Sequence, residues 1–164
     1  MKSYHILDCD KQQKIADSLY GYYVGITANR EPKEFWNHLS RKEIQDYFSI
    51  PNNPCKEWFD SLGLKVRDMS FTIYNEDIGT DIHRDEPPVI AKINFPVLNT
   101  KDTYNVWFDD YANEIDRVEC DKPIVLRSDI LHTVEIGKDA VFPRIQFSFC
   151  FYNEPLQLLK LDTQ

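Results

Sequence analysis

The segment His83-Arg84-Asp85 contains two residue types that bind transition metals, separated by a single residue. On a β-strand, residues two positions apart point to the same side of the sheet, roughly 6–7 Å apart along the strand. An imidazole and a carboxylate placed in this way can bind one metal ion, whereas Arg84 would point away. The alternative interpretation is a surface histidine beside an acid, because so short a pattern also arises by chance.

A second histidine, His132, follows Asp85 by 47 residues and lies in a segment, Leu131–Ile136, that predicts a strand. A histidine on another strand could complete a set of two histidines and one carboxylate on one face of a metal. That set leaves metal positions open and is diagnostic of non-haem Fe(II) oxygenases. The alternative for His132 is a core or surface histidine that is hydrogen-bonded to the backbone.

Arg144 follows His132 by 12 residues and begins the clearest strand pattern of the chain, Arg144–Tyr152. One face of this strand is apolar and needs a hydrophobic layer, for which the helices are candidates. The other face carries Arg144, Gln146 and Ser148 and suits a barrel interior that holds an anionic ligand, because a guanidinium can bind a carboxylate through two hydrogen bonds. Alternatively, this face meets solvent. If Gly137–Asp139 forms a hairpin turn, Arg144 lies beside the strand of His132.

The chain resembles the Fe(II)/2-oxoglutarate-dependent oxygenase family over about Ser70 to Tyr152. The resemblance lies in the order of the residues: a His-x-Asp motif, a distant second His, and then, after a short gap, an Arg that begins a β-strand. The segment Ala91–Val97 also looks like the family's next barrel strand. The chain is similar to small prolyl-hydroxylase-like or aspartyl/asparaginyl-hydroxylase-like members. The resemblance implies an α+β, mainly β fold: a double-stranded β-helix (a jelly-roll or cupin-like barrel) with N-terminal helices packed on the outside.

The resemblance also implies roles for individual residues. By position, His83, Asp85 and His132 would be the catalytic residues that bind Fe(II), and Arg144 would bind the distal carboxylate of 2-oxoglutarate. Many family members have Ser or Thr two residues after this arginine, where the present chain has glutamine. The candidates for further cosubstrate contacts are Gln146, Ser148 and Tyr74, and those for the pocket lining are Lys92, Asn94 and Trp107. Core packing is the alternative for Tyr74.

The activity that the resemblance implies is that of an oxidoreductase, a non-haem iron dioxygenase. It would use Fe(II), 2-oxoglutarate and O2 to hydroxylate a small molecule or a peptide side chain, with release of succinate and CO2. Two alternatives remain: a cupin metalloenzyme that does not use 2-oxoglutarate, and a non-catalytic jelly-roll binding module. Arg144 argues against the first, because only the cosubstrate requires a carboxylate-binding cation there. The complete set of metal-ligand positions argues against the second.

The elements that must position these residues divide the chain into a helical part and a β part. Residues 1–64 are predicted to be mostly helical support, with Asp10, Ser40 and Asn53 as N-caps and Gly63 at a helix end. Phe35 and Trp36 fall in this helical part, and Trp36 and Trp58 are expected in the core. Residues 65–155 are predicted as the β core that carries the metal site, within a single domain 1–164. The predicted strands are Ser70–Tyr74, Asp81–Asp85, Val89–Val97, Tyr104–Phe108, Pro123–Arg127, Leu131–Ile136 and Arg144–Tyr152.

Composition restricts the class of protein. The chain has 164 residues, 42% of them hydrophobic, and a net charge of −8 from 19 basic and 27 acidic side chains. This acidic balance argues against a dedicated binder of nucleic acid or of anionic membranes. The four cysteines contain no C-x-x-C pair, so we expect reduced thiols rather than a zinc ribbon. The N-terminus has no apolar signal core, and we expect a cytoplasmic protein without membrane spans.

Overall fold

The computed structural model describes residues 2–33, 35–76 and 79–161. Nine strands and four helices occur in these ranges, and most of the regular structure is β. The helices are α1 (Gln12–Thr27), α2 (Arg41–Phe48), α3 (Pro54–Ser61) and α4 (Pro155–Leu158). The strands are β1 (Tyr4–Ile6), β2 (Phe35–His38), β3 (Val66–Tyr74), β4 (Ala91–Leu98), β5 (Thr103–Phe108), β6 (Glu114–Glu119), β7 (Ile124–Arg127), β8 (Leu131–Ile136) and β9 (Arg144–Phe151).

The strands form two antiparallel sheets. The large sheet has six strands in the order β1-β7-β4-β9-β3-β2, and the small sheet has three in the order β6-β5-β8. A single bridge between His83 and His132 adds the segment between β3 and β4 to the edge of the small sheet. From β3 onward, the chain therefore passes repeatedly from one sheet to the other. The small sheet receives His83, β5, β6 and β8, and the large sheet receives β3, β4, β7 and β9.

The helices cover one face of the large sheet, and the main hydrophobic core lies between the helices and this sheet. Helix α1 packs on β4 and against α3. The alternating apolar side chains of β9 enter this core, where Phe59 of α3 contacts Phe149 and Phe151 at ring-centroid distances of 4.9 and 5.2 Å. The apolar face of β9 is thus covered by helices, as its sequence pattern indicates.

Local sequence explains where the shorter helices begin and end. The Ser40 hydroxyl accepts a hydrogen bond from the Glu43 N–H while the Glu43 carboxylate accepts one from the Ser40 N–H, the reciprocal capping box. The Asn53 side chain caps α3 by accepting from two N–H groups, and Gly63 follows with a φ of 72°. Helix α1 differs from the prediction, because it begins after Lys11 and has no side-chain cap from Asp10.

Four further sequence predictions were wrong or incomplete. Residues 81–85, predicted as a strand, form no strand and contribute only the isolated bridge at His83. Residues 35–38, placed in a helical segment, form strand β2, which pairs with β3. Strand β6 was missed because its exposed, mostly charged residues lack an apolar alternation. The turn at Gly137–Asp139 does not join a hairpin: β8 pairs with β5 in the small sheet, whereas β9 pairs with β3 and β4 in the large sheet. Arg144 consequently lies on the opposite sheet from His132.

Two further observations concern the class of protein. Over residues 2–33, 35–76 and 79–161, no helix is both long enough and apolar enough to cross a membrane. The cysteines at positions 9, 55, 120 and 150 are all free thiols. Of these, Cys55 and Cys120 are buried.

Candidate active site

Backbone pairing brings His83, Asp85 and His132 together. The His83 N–H donates to the His132 carbonyl at 3.0 Å, and the His132 N–H donates to the His83 carbonyl at 2.8 Å. Two residues later, the Asp85 N–H donates to the Ser128 carbonyl at 2.8 Å. One ligand atom from each of the three side chains lies within 4.8 Å of the other two. This grouping could hold a metal ion.

Both imidazole rings are oriented by backbone carbonyls. The Nδ1 atom of His83 lies 2.8 Å from the Asp81 carbonyl oxygen, and that of His132 lies 2.8 Å from the Ile130 carbonyl oxygen. A carbonyl only accepts hydrogen bonds, so each Nδ1 must be the donor, and the neutral ring has its lone pair on Nε2. The two Nε2 atoms lie 3.7 and 3.9 Å from Asp85 Oδ1. The Nε2 atoms of the two rings and one carboxylate oxygen therefore converge on one point.

The electrostatics of the grouping favour the protonation states that bind metal. The pKa of His132 is lowered to about 4, mainly by burial, with the nearby Lys92 and His83 as further causes that lower it. Burial raises the pKa of Asp85, but the Lys92 ammonium, 2.6 Å from Asp85 Oδ2, outweighs it, and the net pKa lies below its usual value. At neutral pH, His132 is uncharged and Asp85 is ionised. Neutral imidazole and carboxylate are the forms that bind metal ions.

Arg144 is completely buried and only partly satisfied. Its Nε donates to Thr103 Oγ1 at 3.1 Å, and its Nη2 donates to Gln146 Oε1 at 2.8 Å. The guanidinium carbon also lies 5.2 Å from the ring centroid of Tyr74. Among the described residues, Nη1 has no hydrogen-bond partner. A buried cationic donor without an acceptor is costly, and the guanidinium thus fits an anionic ligand.

A cavity of about 60 Å³ connects these two groups of residues. Both histidines line it, together with Tyr74 and Gln146, which contact Arg144. Ser148 also lines it and donates a hydrogen bond to Asn94 Oδ1 at 2.7 Å. The other residues of the lining are Trp36, Thr72, Thr80, Lys92, Asn94, Asn105, Leu126, Thr133 and Val134.

A larger cleft of about 420 Å³ adjoins the cavity and shares Trp36, Lys92 and Ser148 with it. Asp85 lines this cleft, so the cleft reaches the histidine–carboxylate grouping from a second side. The rest of its lining is His38, Asp68, Ser70, Arg84, Glu86, Val89 and Cys150. A groove of about 640 Å³ near α2 and α3 includes none of the three candidate metal ligands.

The structure brings together most of the residues that the sequence singled out. Lys92 and Asn94 line the cavity, as predicted for the pocket, but Trp107 does not. The Trp107 ring stacks on Tyr4 at 5.3 Å, and its Nε1 donates to the Arg127 carbonyl. Trp36, expected in the core, is 40% exposed and lines both the cavity and the cleft.

Sequence reasoning also missed two partners of the site residues. The hydrogen bond from Arg144 to Thr103 and the ion pair between Lys92 and Asp85 each join distant strands or segments. No spacing signal identifies such partners before the strand order is known. A lysine in the otherwise apolar and polar-uncharged strand Ala91–Leu98 was the one available indication of the ion pair.

Solved structures with a similar fold were found at low sequence identity. A prolyl-4-hydroxylase from Pseudomonas putida aligns with 93% of this chain and 93% of its own, at 11% identity and a TM-score of 0.54. The non-heme alpha ketoglutarate dependent epimerase SnoN from nogalamycin biosynthesis aligns with 92% of this chain and 78% of its own, at 10% identity and a TM-score of 0.59.

A third similar structure is a prolyl hydroxylase from Trichoplax adhaerens, in complex with a hypoxia inducible factor peptide fragment. It aligns with 99% of this chain and 88% of its own, at 9% identity and a TM-score of 0.55. No protein-family model matches the sequence, and no curated protein matches it significantly. At these identities the likeness concerns the fold.

Proposed function

We propose that this protein is an Fe(II)- and 2-oxoglutarate-dependent oxygenase that hydroxylates a small molecule or a peptide side chain. One observation carries the proposal: a single cavity is lined both by the two histidines and by Tyr74 and Gln146, which hold the buried Arg144. A metal-binding group and an unsatisfied cation at one cavity match a cosubstrate that chelates a metal and carries a second carboxylate.

We further infer that the two sheets are those of a double-stranded β-helix. The repeated passage of the chain between the sheets supports this inference, as do the similar folds of the hydroxylases and the epimerase named above. In this arrangement β9 and β8 face each other across the cavity. Gln146 and Ser148 on β9 and His132 on β8 all line this cavity.

Each residue of the site has a distinct role in this proposal. His83 and His132 would hold Fe(II) through Nε2, with their rings fixed by the Asp81 and Ile130 carbonyls, and Asp85 would supply one oxygen. When bound, Fe(II) and 2-oxoglutarate together supply the activation of O2 that oxidises a substrate C–H bond, with succinate and CO2 as further products. The protein contributes fixed ligands, of which His132 and Asp85 are 7% and 12% exposed.

Arg144 and Gln146 would bind the distal carboxylate of the cosubstrate. Because Arg144 donates to Gln146 Oε1, the amide of Gln146 is oriented with its Nε2 donor available. Arg144 Nη1 and Gln146 Nε2 would therefore form the donor pair for the carboxylate. Tyr74, whose ring lies against the guanidinium, is a further candidate donor. The adjoining cleft is the proposed substrate pocket, since it reaches Asp85 and lies within the usual volume range of ligand pockets.

Anaerobic titration with Fe(II) and 2-oxoglutarate tests the proposal. The full chain should show a weak visible absorption band that requires both additions, and His132→Ala should abolish it. His5→Gln is the matched control, because His5 lies on β1 and pairs with Val125, away from the cavity. This variant should keep the band.

The other outcomes separate the alternative functions. Metal binding without any effect of 2-oxoglutarate would support a cupin metalloenzyme of another class. Binding of neither would support a non-catalytic module. Formation of succinate from 2-oxoglutarate in the presence of O2, lost in His132→Ala, would then establish turnover.

A further inference from the structure

A buried lysine contacts the candidate metal carboxylate directly. The Lys92 side chain is only 7% exposed, and its Nζ lies 2.6 Å from Asp85 Oδ2. The same Asp85 places its other oxygen, Oδ1, 3.7 and 3.9 Å from the two histidine Nε2 atoms. The two oxygens of this carboxylate thus face different partners: a cation on one side and the imidazoles on the other.

This ion pair is too deeply buried to be an incidental surface contact. The Asp85 side chain is 12% exposed, and a buried ammonium is strongly disfavoured unless an anion compensates it. Among the acids in the described part of the chain, Asp85 is the one within ion-pair distance of Lys92. Trp36 covers the ammonium, with its ring centroid 5.0 Å from Nζ, and adds a cation–π contact.

We propose that Lys92 is a positioning residue that holds Asp85 Oδ2 and thereby presents Oδ1 alone to the metal. This inference rests on the proposed function, and it adds a residue that acts on the site through Asp85. Without Lys92, Asp85 would lose the contact that fixes its carboxylate plane, and both oxygens would be free to turn toward the metal. Groups that orient metal ligands typically change metal affinity by about 10–100-fold when they are removed.

The position of Lys92 also joins the site to the proposed substrate pocket. Lys92 lines both the cavity of about 60 Å³ and the cleft of about 420 Å³, and Trp36 does the same. The Asp85–Lys92 pair therefore forms part of the wall between the two spaces. An ammonium has three donors, and Asp85 takes one of them, so donors remain for a ligand in either space.

Binding of Co(II) to the metal-free full chain tests the inference without any need for turnover. Lys92→Met, which keeps the length but removes the charge and the donors, should weaken the Kd for Co(II) at least tenfold. It should also change the visible Co(II) spectrum, because Asp85 gains freedom at the metal. Lys92→Arg, which keeps a cationic donor, should restore the Kd to within about threefold and return the spectrum to that of the unaltered protein.

The matched control is Lys65→Met. Lys65 lies over the Tyr152 ring at 5.5 Å, a cation–π contact like that of Lys92, but far from the site. This variant should bind Co(II) with unchanged affinity. If Lys92→Met does not fold, as judged by circular dichroism, Lys92→Gln takes its place. It should likewise weaken the Kd for Co(II) at least tenfold.

The outcomes distinguish this inference from the proposed function. Equal or tighter Co(II) binding by the uncharged Lys92 variant, or a Lys92→Arg variant that is no better than Lys92→Met, would overturn the role of Lys92 and leave the metal site intact. An unaltered protein that binds no Co(II) would overturn the metal site itself, together with the role of Lys92.

Discussion

Strand β9 has two faces that are equally buried but chemically opposite. One carries Ile145, Phe147 and Phe149, packed under the helices. The other carries Arg144, Gln146 and Ser148; Gln146 and Ser148 line the cavity, and Arg144 contacts it through Gln146. Alternation along a strand normally separates a buried face from a solvated one, and here it separates a face that stabilises the fold from the face that we propose binds a ligand.

The two faces differ in how strictly their neighbours must match. Apolar packing is non-directional, so Phe149 needs only a close-fitting surround. Buried polar groups need specific partners, and Arg144, Gln146 and Ser148 each have at least one, whereas Arg144 Nη1 has none among the described residues. Among the described residues, the unsatisfied Arg144 Nη1 is therefore the informative feature of the polar face, because a buried donor is rarely left without an acceptor.

The largest expected effect is on the apolar face. Phe149→Ala should lower the free energy of unfolding by about 3–5 kcal/mol, because it removes a fully buried ring that packs edge-on against Phe59. Urea denaturation followed by fluorescence measures this. Phe149→Leu, which retains most of the side-chain volume, is the control. Its free energy of unfolding should fall markedly less than that of the alanine variant. A loss below about 1 kcal/mol for the alanine variant would contradict the assignment of this face to the core.

On the polar face, Arg144→Met should act on the ligand rather than on the fold. We expect the affinity for 2-oxoglutarate to fall on the order of 100-fold, because hydrogen bonds to charged groups contribute roughly 1.5–3 kcal/mol each. Calorimetry on the metal-loaded protein under anaerobic conditions measures it. Arg117→Met, which removes an exposed arginine paired with Glu114 and Glu135, is the matched control and should bind normally.

Gln146→Ala should have a smaller effect in the same direction. It removes one proposed donor to the carboxylate and also the acceptor of Arg144 Nη2. Since Arg144 remains, we expect the affinity for 2-oxoglutarate to fall by about tenfold, which corresponds to about 1.4 kcal/mol. An unchanged affinity would show that Gln146 only holds Arg144 in place, and the carboxylate would then bind through Arg144 Nη1 alone.

The comparison of the two faces also explains what could be predicted from sequence. The alternation of apolar and polar residues identifies β9 and its two faces, and the order of His83, Asp85, His132 and Arg144 identifies the candidate site. Solvent exposure of the polar face was the open alternative, and the structure excludes it. Alternation reports that two faces differ, but it does not report what covers the second face.

What could not be predicted depends on contacts between distant strands. Thr103 and Lys92 become partners of Arg144 and Asp85 only because β5 and β4 lie where the strand order places them. The wrong hairpin between β8 and β9 has the same cause, since a short turn does not reveal that the chain changes sheets. Strand β2 was missed because four residues are too few for a periodic pattern to be recognised.

The smallest expected effect comes from substituting Ser148, on the polar face of β9. Ser148 is one of the predicted cosubstrate contacts, but its hydroxyl donates its single proton to Asn94 Oδ1 at 2.7 Å and so has no free donor for the carboxylate. Ser148→Ala should therefore lower the free energy of unfolding by only about 1 kcal/mol, the usual net value of one such hydrogen bond. The affinity for 2-oxoglutarate should stay within about threefold.

Ser70→Ala provides the matched control for this last prediction. Ser70 is the direct neighbour of Ser148 across β3 and β9, is similarly buried, and also lines the cleft. Within the part of the chain that the structure describes, its side chain makes no hydrogen bond, so its loss should change stability less than that of Ser148. If Ser148→Ala instead weakened 2-oxoglutarate binding as strongly as Gln146→Ala, the ligand-binding part of the polar face would extend along β9 as far as Ser148.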